Sequence, residues 1–317
     1  MAKTKPAAKP AAEKSDVYDV INDRILALLD KGVVPWKKSW SARGGAEGLP
    51  RNVEGRRYNG MNAFLLDARM TAEGWNDPRF LTFKKGQEMG GMVRKGEKGT
   101  PVVYWTFLKK DETDDTGKTK TKRIPFLKYY TVFNVAQFDN LNVKPLPVRE
   151  PVAEWEGVEA AEQVIANMPN RPAFDHKGRD RAYYIPALDS VHVPAREDFT
   201  SAGGYYETIF HEFSHSTGHS SRLNRKNADQ PAHFGSEPYA REELVAEFGA
   251  AFLMAEVGLD SDESVENMAA YIASWKRAVA EDRKALVVAA GQAQKAADYI
   301  LGRLDASMYE DGEAMAA

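Results

Sequence analysis

The string His211-Glu212-Phe213-Ser214-His215 constrains this chain more than any other feature, because its chemistry works only on a helix. Successive residues of an α-helix turn by about 100°, so side chains four apart differ by only about 40°. Both imidazoles then face one way and can grip one cation. Glu212 is turned roughly 100° from His211, which sets its carboxylate beside such an ion, where it can take a proton from a water. Two neutral imidazoles and a carboxylate suit zinc, and other transition metals accept the same donors. Ile209, Phe210 and Phe213 give this helix an apolar side.

A third ligand has to come from elsewhere in the chain. An extended form of the motif carries another His six residues after the second, but Ser221 stands there. His219 is one candidate, although Gly218 is expected to end the helix before it. The stretch 239–253 offers Glu242, Glu243 and Glu247. The last two are four apart and share a face, whereas Glu242 is turned off it and reads as solvated. Glu243 is the preferred ligand, with Glu247 holding an imidazole N–H; the opposite assignment of the two stays open. Ala246, Gly249, Ala250 and Ala251 let this second helix approach the first closely. Three protein ligands leave a position for water, as in hydrolytic zinc sites. A structural ion closed by four, His219 being the fourth, is the competing reading.

The net charge of −3 is divided unevenly along the 317 residues. Residues 1–14 hold four Lys and one Glu, residues 15–150 hold 24 Lys/Arg against 17 Asp/Glu, and residues 151–317 hold 15 against 28. A basic half of this kind suits a polyanion. That half also carries four Trp, and its aromatic rings recur beside cations in PWKKSW, GRRYNG, FKKG and VRKGEKG. Flat rings stack on unpaired bases while Lys and Arg follow phosphates, a combination that binds single strands with little sequence preference. The candidates are Trp36, Lys37, Lys38, Trp40, Arg56, Arg57, Tyr58, Lys84, Lys85, Arg94, Lys95 and Lys98, with Trp36, Trp40 and Tyr58 as the stacking rings.

Apolar spacing and turn residues divide the chain further. Residues 1–14 are Ala/Lys/Pro-rich and are expected to be a disordered basic tail. Residues 15–142 read as a small α+β domain. Its helices are a run opening at Asp16 and closing at Gly32 and a second over 58–70; its strands lie in RFLTF, TPVVYWTFL and KYYTVFNV. DETDDTGKTKTKR reads as an exposed hairpin tip. Residues 143–152, with three Pro, are the linker. Residues 153–310 form a mainly helical second domain that starts with a helix over 154–168 and carries two short strands in YYIPALDSVHVP. The absence of Cys excludes disulfides and thiolate metal sites. No apolar run approaches the roughly 18–20 residues that span a bilayer, and the first residues lack the apolar core of a secretory signal. A cytoplasmic protein without a membrane partner is expected.

PWKKSW, YNGMNAFLL, RFLTFKKGQEMGG, VRKGEKGTPVVYW and YYTVFNVAQF resemble the N-terminal single-stranded-DNA-binding domain of ArdC-type antirestriction proteins. YYIPALDSVHVP, YYETIFHEFSHSTGHSSRLNR, FGSEPYAREELVAEFGAAFL and the helical stretch 271–301 resemble the zincin-type metallopeptidase domain, of gluzincin kind, that follows it. The likeness covers nearly all of 16–304 and leaves out the tail. It implies a plasmid- or phage-borne protein that coats single-stranded DNA and shields incoming DNA from host restriction. It also implies His211 and His215 as metal ligands, Glu212 as catalytic acid/base, and an acidic third ligand that fits Glu243 or Glu247. DNA-bound host proteins are the peptidase substrates this combination suggests; the alternative is a DNA-occluding protein whose metal is structural.

Overall fold

The computed structural model describes residues 16–37, 45–113, 119–147, 152–225, 237–260, 273, 275–277 and 279–304. The expected tail, residues 114–118 of the expected hairpin tip, Lys38 and Trp40 lie outside the described residues. Helix α1 (Val17–Leu29) starts where the Asp16 side chain accepts a hydrogen bond from the Tyr18 amide at 2.9 Å. It buries Ile21, Ile25 and Leu29. Helix α2 (Met61–Glu73) begins three residues later than its apolar pattern, because Gly60 holds φ at +57°, a left-handed value that breaks the helix there.

Against α2 lies a four-stranded sheet of order β1-β2-β5-β4. Its strands are β1 (Arg51–Asn52), β2 (Arg79–Thr82), β4 (Thr100–Thr113) and β5 (Thr119–Asn134). Strands β1 and β2 run parallel, and the other pairs are antiparallel. The β4–β5 ladder continues through Thr113↔Thr119, so most of the polar stretch expected as a tip is paired strand. Asn62 of α2 clips the helix to this sheet, donating to the Val103 carbonyl at 2.7 Å and accepting from its amide at 2.8 Å. The short α3 (Phe83–Glu88) leads to β3 (Met92–Val93), which pairs with β6 (Phe138–Asp139).

The second half opens with α4 (Glu154–Asn167) and a three-stranded sheet of order β7-β9-β8, made from β7 (Ala173–Asp175), β8 (Tyr183–Ile185) and β9 (Ser190–His192). The helices α5 (Ala202–Ser216), α6 (Glu237–Val257) and α7 (Ala285–Ile300) follow, with further helical residues described between 273 and 281. Ser201 caps α5 by accepting from the Gly204 amide at 3.0 Å. Helices α5 and α6 meet closely because Gly249 carries no side chain: a Cβ there would stand 2.4 Å from Ser214 Oγ. Among the described residues no helix is long and apolar enough to cross a membrane.

The halves are not beads on a string. One apolar core runs through both, joining Ile21, Trp36 and Phe64 of the first to Phe210, Phe248 and Leu286 of the second. Trp36 sits at the joint, with its ring centroid 4.7 Å from Phe248 and 4.8 Å from Trp275 in edge-on contacts. Phe64 stacks on Phe252 at 4.6 Å. A smaller cluster of Tyr58, Leu66, Met70, Phe80, Val102 and Val132 fills the space between α2 and its sheet.

Candidate metal centre

Helix α5 carries His211 and His215 one turn apart, and α6 crosses it so that Glu243 faces both. His211 Nε2 and His215 Nε2 lie 3.1 Å apart. Glu243 Oε2 is 3.5 Å from the first and Glu243 Oε1 is 3.6 Å from the second. Among the described residues these three are the group of His and acidic side chains whose donor atoms come within 4.8 Å of one another. Tetrahedral coordination at bond lengths of about 2.0–2.1 Å requires neighbouring donors roughly 3.3–3.4 Å apart. The donor triangle fits a small divalent cation.

The outer nitrogens of both rings face carboxylates. Glu247 Oε2 is 3.9 Å from His211 Nδ1, and Glu242 Oε1 is 3.5 Å from His215 Nδ1. Such partners favour the proton on Nδ1 and leave the Nε2 lone pairs for an ion. Burial pushes the His211 imidazole down, but its hydrogen bond to Glu243 and the charges of Glu212, Glu243 and Glu247 outweigh this and hold it at about 9. Burial pushes Glu243 up, and the two imidazoles together with the Tyr239 hydroxyl bring it down to about 2. Four carboxylates therefore surround two imidazoles, a balance that favours a cation in their midst. Glu212 itself is buried, 8% exposed, directly after His211.

Two residues of this centre escaped the sequence. Glu242, expected on a solvated face, is instead gripped by Arg225, whose Nε lies 3.3 Å from Glu242 Oε2 and whose Nη2 pairs with Oε1. Arg225 also donates to the Thr217 hydroxyl and to the Ser214 carbonyl, the latter at 2.9 Å, binding the end of α5 to α6. A nearly buried guanidinium requires a carboxylate, but the sequence does not say which one the 217–225 turn delivers to it.

Lys37 is the second surprise. Expected on DNA, its ammonium lies 3.7 Å from Glu247 Oε1 and 4.0 Å from Glu207 Oε1, with the side chain only 16% exposed. Its place is the outer ring of the metal centre, opposite the carboxylate that faces His211. His219 stays outside the donor group, its Nδ1 held 2.7 Å from the Ser221 hydroxyl.

The expected stacking platform also changes. Trp36 is fully buried in the shared core, and Tyr58 is buried against Phe80, ring centroids 6.4 Å apart. Neither offers a free face to a base. A ring beside lysines reads alike whether it points into a core or out of it. Arg57 pairs with Glu256 at 2.8 Å, Lys85 with Glu54 at 2.9 Å and Arg94 with Glu97 at 2.8 Å. Arg56, Lys84, Lys95 and Lys98 are exposed.

Residues 15–133 match the family model of the N-terminal domain of anti-restriction factor ArdC, and residues 159–292 match that of a zincin-like metallopeptidase. The chain is similar to the antirestriction ArdC protein from the R388 plasmid at 35% identity. Against its metal-free crystal structure the match covers 91% of this chain and 97% of that one with a TM-score of 0.68; against its Mn(II)-bound structure the TM-score is 0.69, with 98% of that chain covered. It is also 38% identical over 306 residues to DNA primase TraC of Escherichia coli, covering 92% of this chain but only 27% of TraC. An uncharacterized protein, y4eC of Sinorhizobium fredii, is 34% identical, with 90% of this chain and 92% of that protein covered.

Proposed function

Because the chain belongs to the ArdC antirestriction family, we propose that it binds single-stranded DNA and protects incoming plasmid or phage DNA from host restriction, and that its second half is a zinc-dependent peptidase. The observation that carries the hydrolytic part is the triangle of His211, His215 and Glu243 donors, backed by a separate carboxylate at each imidazole. A related protein 35% identical holds Mn(II), which supports a divalent ion here. In this reading 15–142 is the DNA-binding part, 143–152 the link, and 153–310 the peptidase part.

His211, His215 and Glu243 hold the ion, with Glu247 and Glu242 fixing the imidazoles. When bound, a zinc ion polarises a carbonyl and lowers the pKa of a coordinated water to about 7. Glu212 supplies the base that receives a proton and returns it to the leaving amine. Glu243 would not share that work, since its carboxylate is the third donor to the ion. Lys37 opposes the charge of Glu247 and so limits how strongly that carboxylate draws on His211. DNA-bound proteins of the host, restriction enzymes among them, are the substrates that a DNA-binding half would bring to such a site.

Glu212→Gln separates protection by cleavage from protection by occlusion. The amide keeps the shape but accepts no proton, so peptide hydrolysis falls by about 10²–10⁴-fold while metal content and DNA affinity hold. Transfer of unmodified plasmid into a restricting host then drops to the level of a strain lacking the protein. Undiminished protection would leave occlusion as the mechanism.

Metal affinity follows pH with a definite sign. A proton and a cation compete for His211 Nε2, and the proton is held up to about 9. Below that pH each unit of rise strengthens apparent zinc binding by about tenfold for one displaced proton. Calorimetric titrations at pH 6, 7 and 8 measure this slope, and a flat profile would contradict it.

A further inference from the structure

The motif GRRYNG finds no role in the metal centre, yet the fold brings it to the mouth of a cleft. Arg56, Arg57 and Asn59 line a cavity of about 380 Å³ between the halves, whose other wall is Phe252 and Glu256 of α6 with Ala297 and Leu301 at the end of α7. That volume lies within the roughly 300–1,000 Å³ range of sites for small organic ligands. Its floor is apolar, from Ala63, Phe252, Ala297 and Leu301. Its rim is cationic: Arg56, Arg57 and Arg303 stand against Glu256 and Asp298.

Glu256 is already occupied. Arg57 Nη1 donates to one of its oxygens at 2.8 Å and Arg303 Nη2 to the other at 2.6 Å. Each guanidinium has five N–H donors, so both keep donors to spare. Arg56 is exposed and, among the described residues, pairs with no carboxylate. Guanidinium forks beside an apolar floor recognise a phosphate joined to a flat ring. Gln294 has committed its amide to Gly60 and Asp298, whereas the Asn59 amide makes no hydrogen bond among the described residues. One uncommitted amide reads little of a base edge, so such a site tolerates sequence.

We infer that this cleft seats one nucleotide of a single DNA strand, its phosphate on Arg56 and Arg57 and its base against Phe252, Ala63 and Leu301. The inference rests on the single-strand reading above and gives it a location. Residues 252–256 follow Glu243 on the same helix by nine to thirteen positions, about 14–20 Å at 1.5 Å per residue. At 100° per residue, Phe252 and Glu256 also project about 140–180° away from Glu243, so the cleft lies across this helix from the metal centre.

Two variants of the full chain test the cleft by different routes. Arg56→Ala removes an exposed cation. Leu49→Trp, on a loop lining the same cavity, fills the space without changing charge. Fluorescence anisotropy with a labelled thymidine 15-mer should show roughly tenfold weaker binding for each, with thermal melting unchanged. Arg56→Ala also lowers the slope of log affinity against log salt by about 0.7, the share of one phosphate on a single strand; Leu49→Trp leaves the slope alone. If both variants bind as the wild type does, the cleft is not the site and the single-strand reading stands. If the wild type itself has no affinity for the strand, both fall together.

Discussion

Trp36→Ala costs about 3–5 kcal/mol of folding stability, in line with the removal of a large aromatic side chain from a packed core. The indole is fully buried and bridges Phe64, Phe248 and Trp275. It contributes to the core on both sides of the joint, so the cavity it leaves opens where the two halves meet. Against a total stability of roughly 5–15 kcal/mol this is a large fraction. The thermal midpoint falls by roughly 5–8 °C. Trp36→Phe is milder, because among the described residues the buried Nε1 has no hydrogen-bond partner, and its loss removes an unmet donor along with some packing. Calorimetry on the three proteins measures the series. Equal stabilities for Trp36→Ala and the wild type would contradict the burial.

The same residue explains why the first half is the harder part to read from sequence. PWKKSW has the composition of a stacking surface, yet its first Trp packs inward and Lys37 follows it toward Glu207 and Glu247. Nothing local distinguishes these outcomes, since the partners come from α5 and α6, about 170–210 positions along the chain. The metal motif was readable because its geometry is local: one helical turn sets both imidazoles, whatever surrounds them. Glu243 and Glu247 were readable for the same reason, as a pair four apart. Glu242 was not, because its place depends on Arg225 arriving through a turn. The small residues of α6 pointed correctly to a close helix crossing, and Gly249 against Ser214 is where it happens. The α+β class follows from periodicity, and the zincin-like second half from the family resemblance that its motifs carry. The shared core does not, since a run with three prolines suggests separation while saying nothing about docking.

His215→Ala has the other large effect. The imidazole would supply one of three donors and is the ring that faces Glu242, so its loss would leave two donors and weaken divalent-ion binding by at least about a hundredfold. The fold survives, because the ring is a partly exposed side chain at the edge of the core. Metal content of purified protein, measured by mass spectrometry of the acid-digested wild type and His215→Ala side by side, is the most direct test. One equivalent of divalent metal per chain in the wild type, and essentially none in a variant that melts at the same temperature, is the expected result. A metal-free wild type that takes up no added zinc, or a variant as fully loaded as its parent, would contradict the metal centre described here.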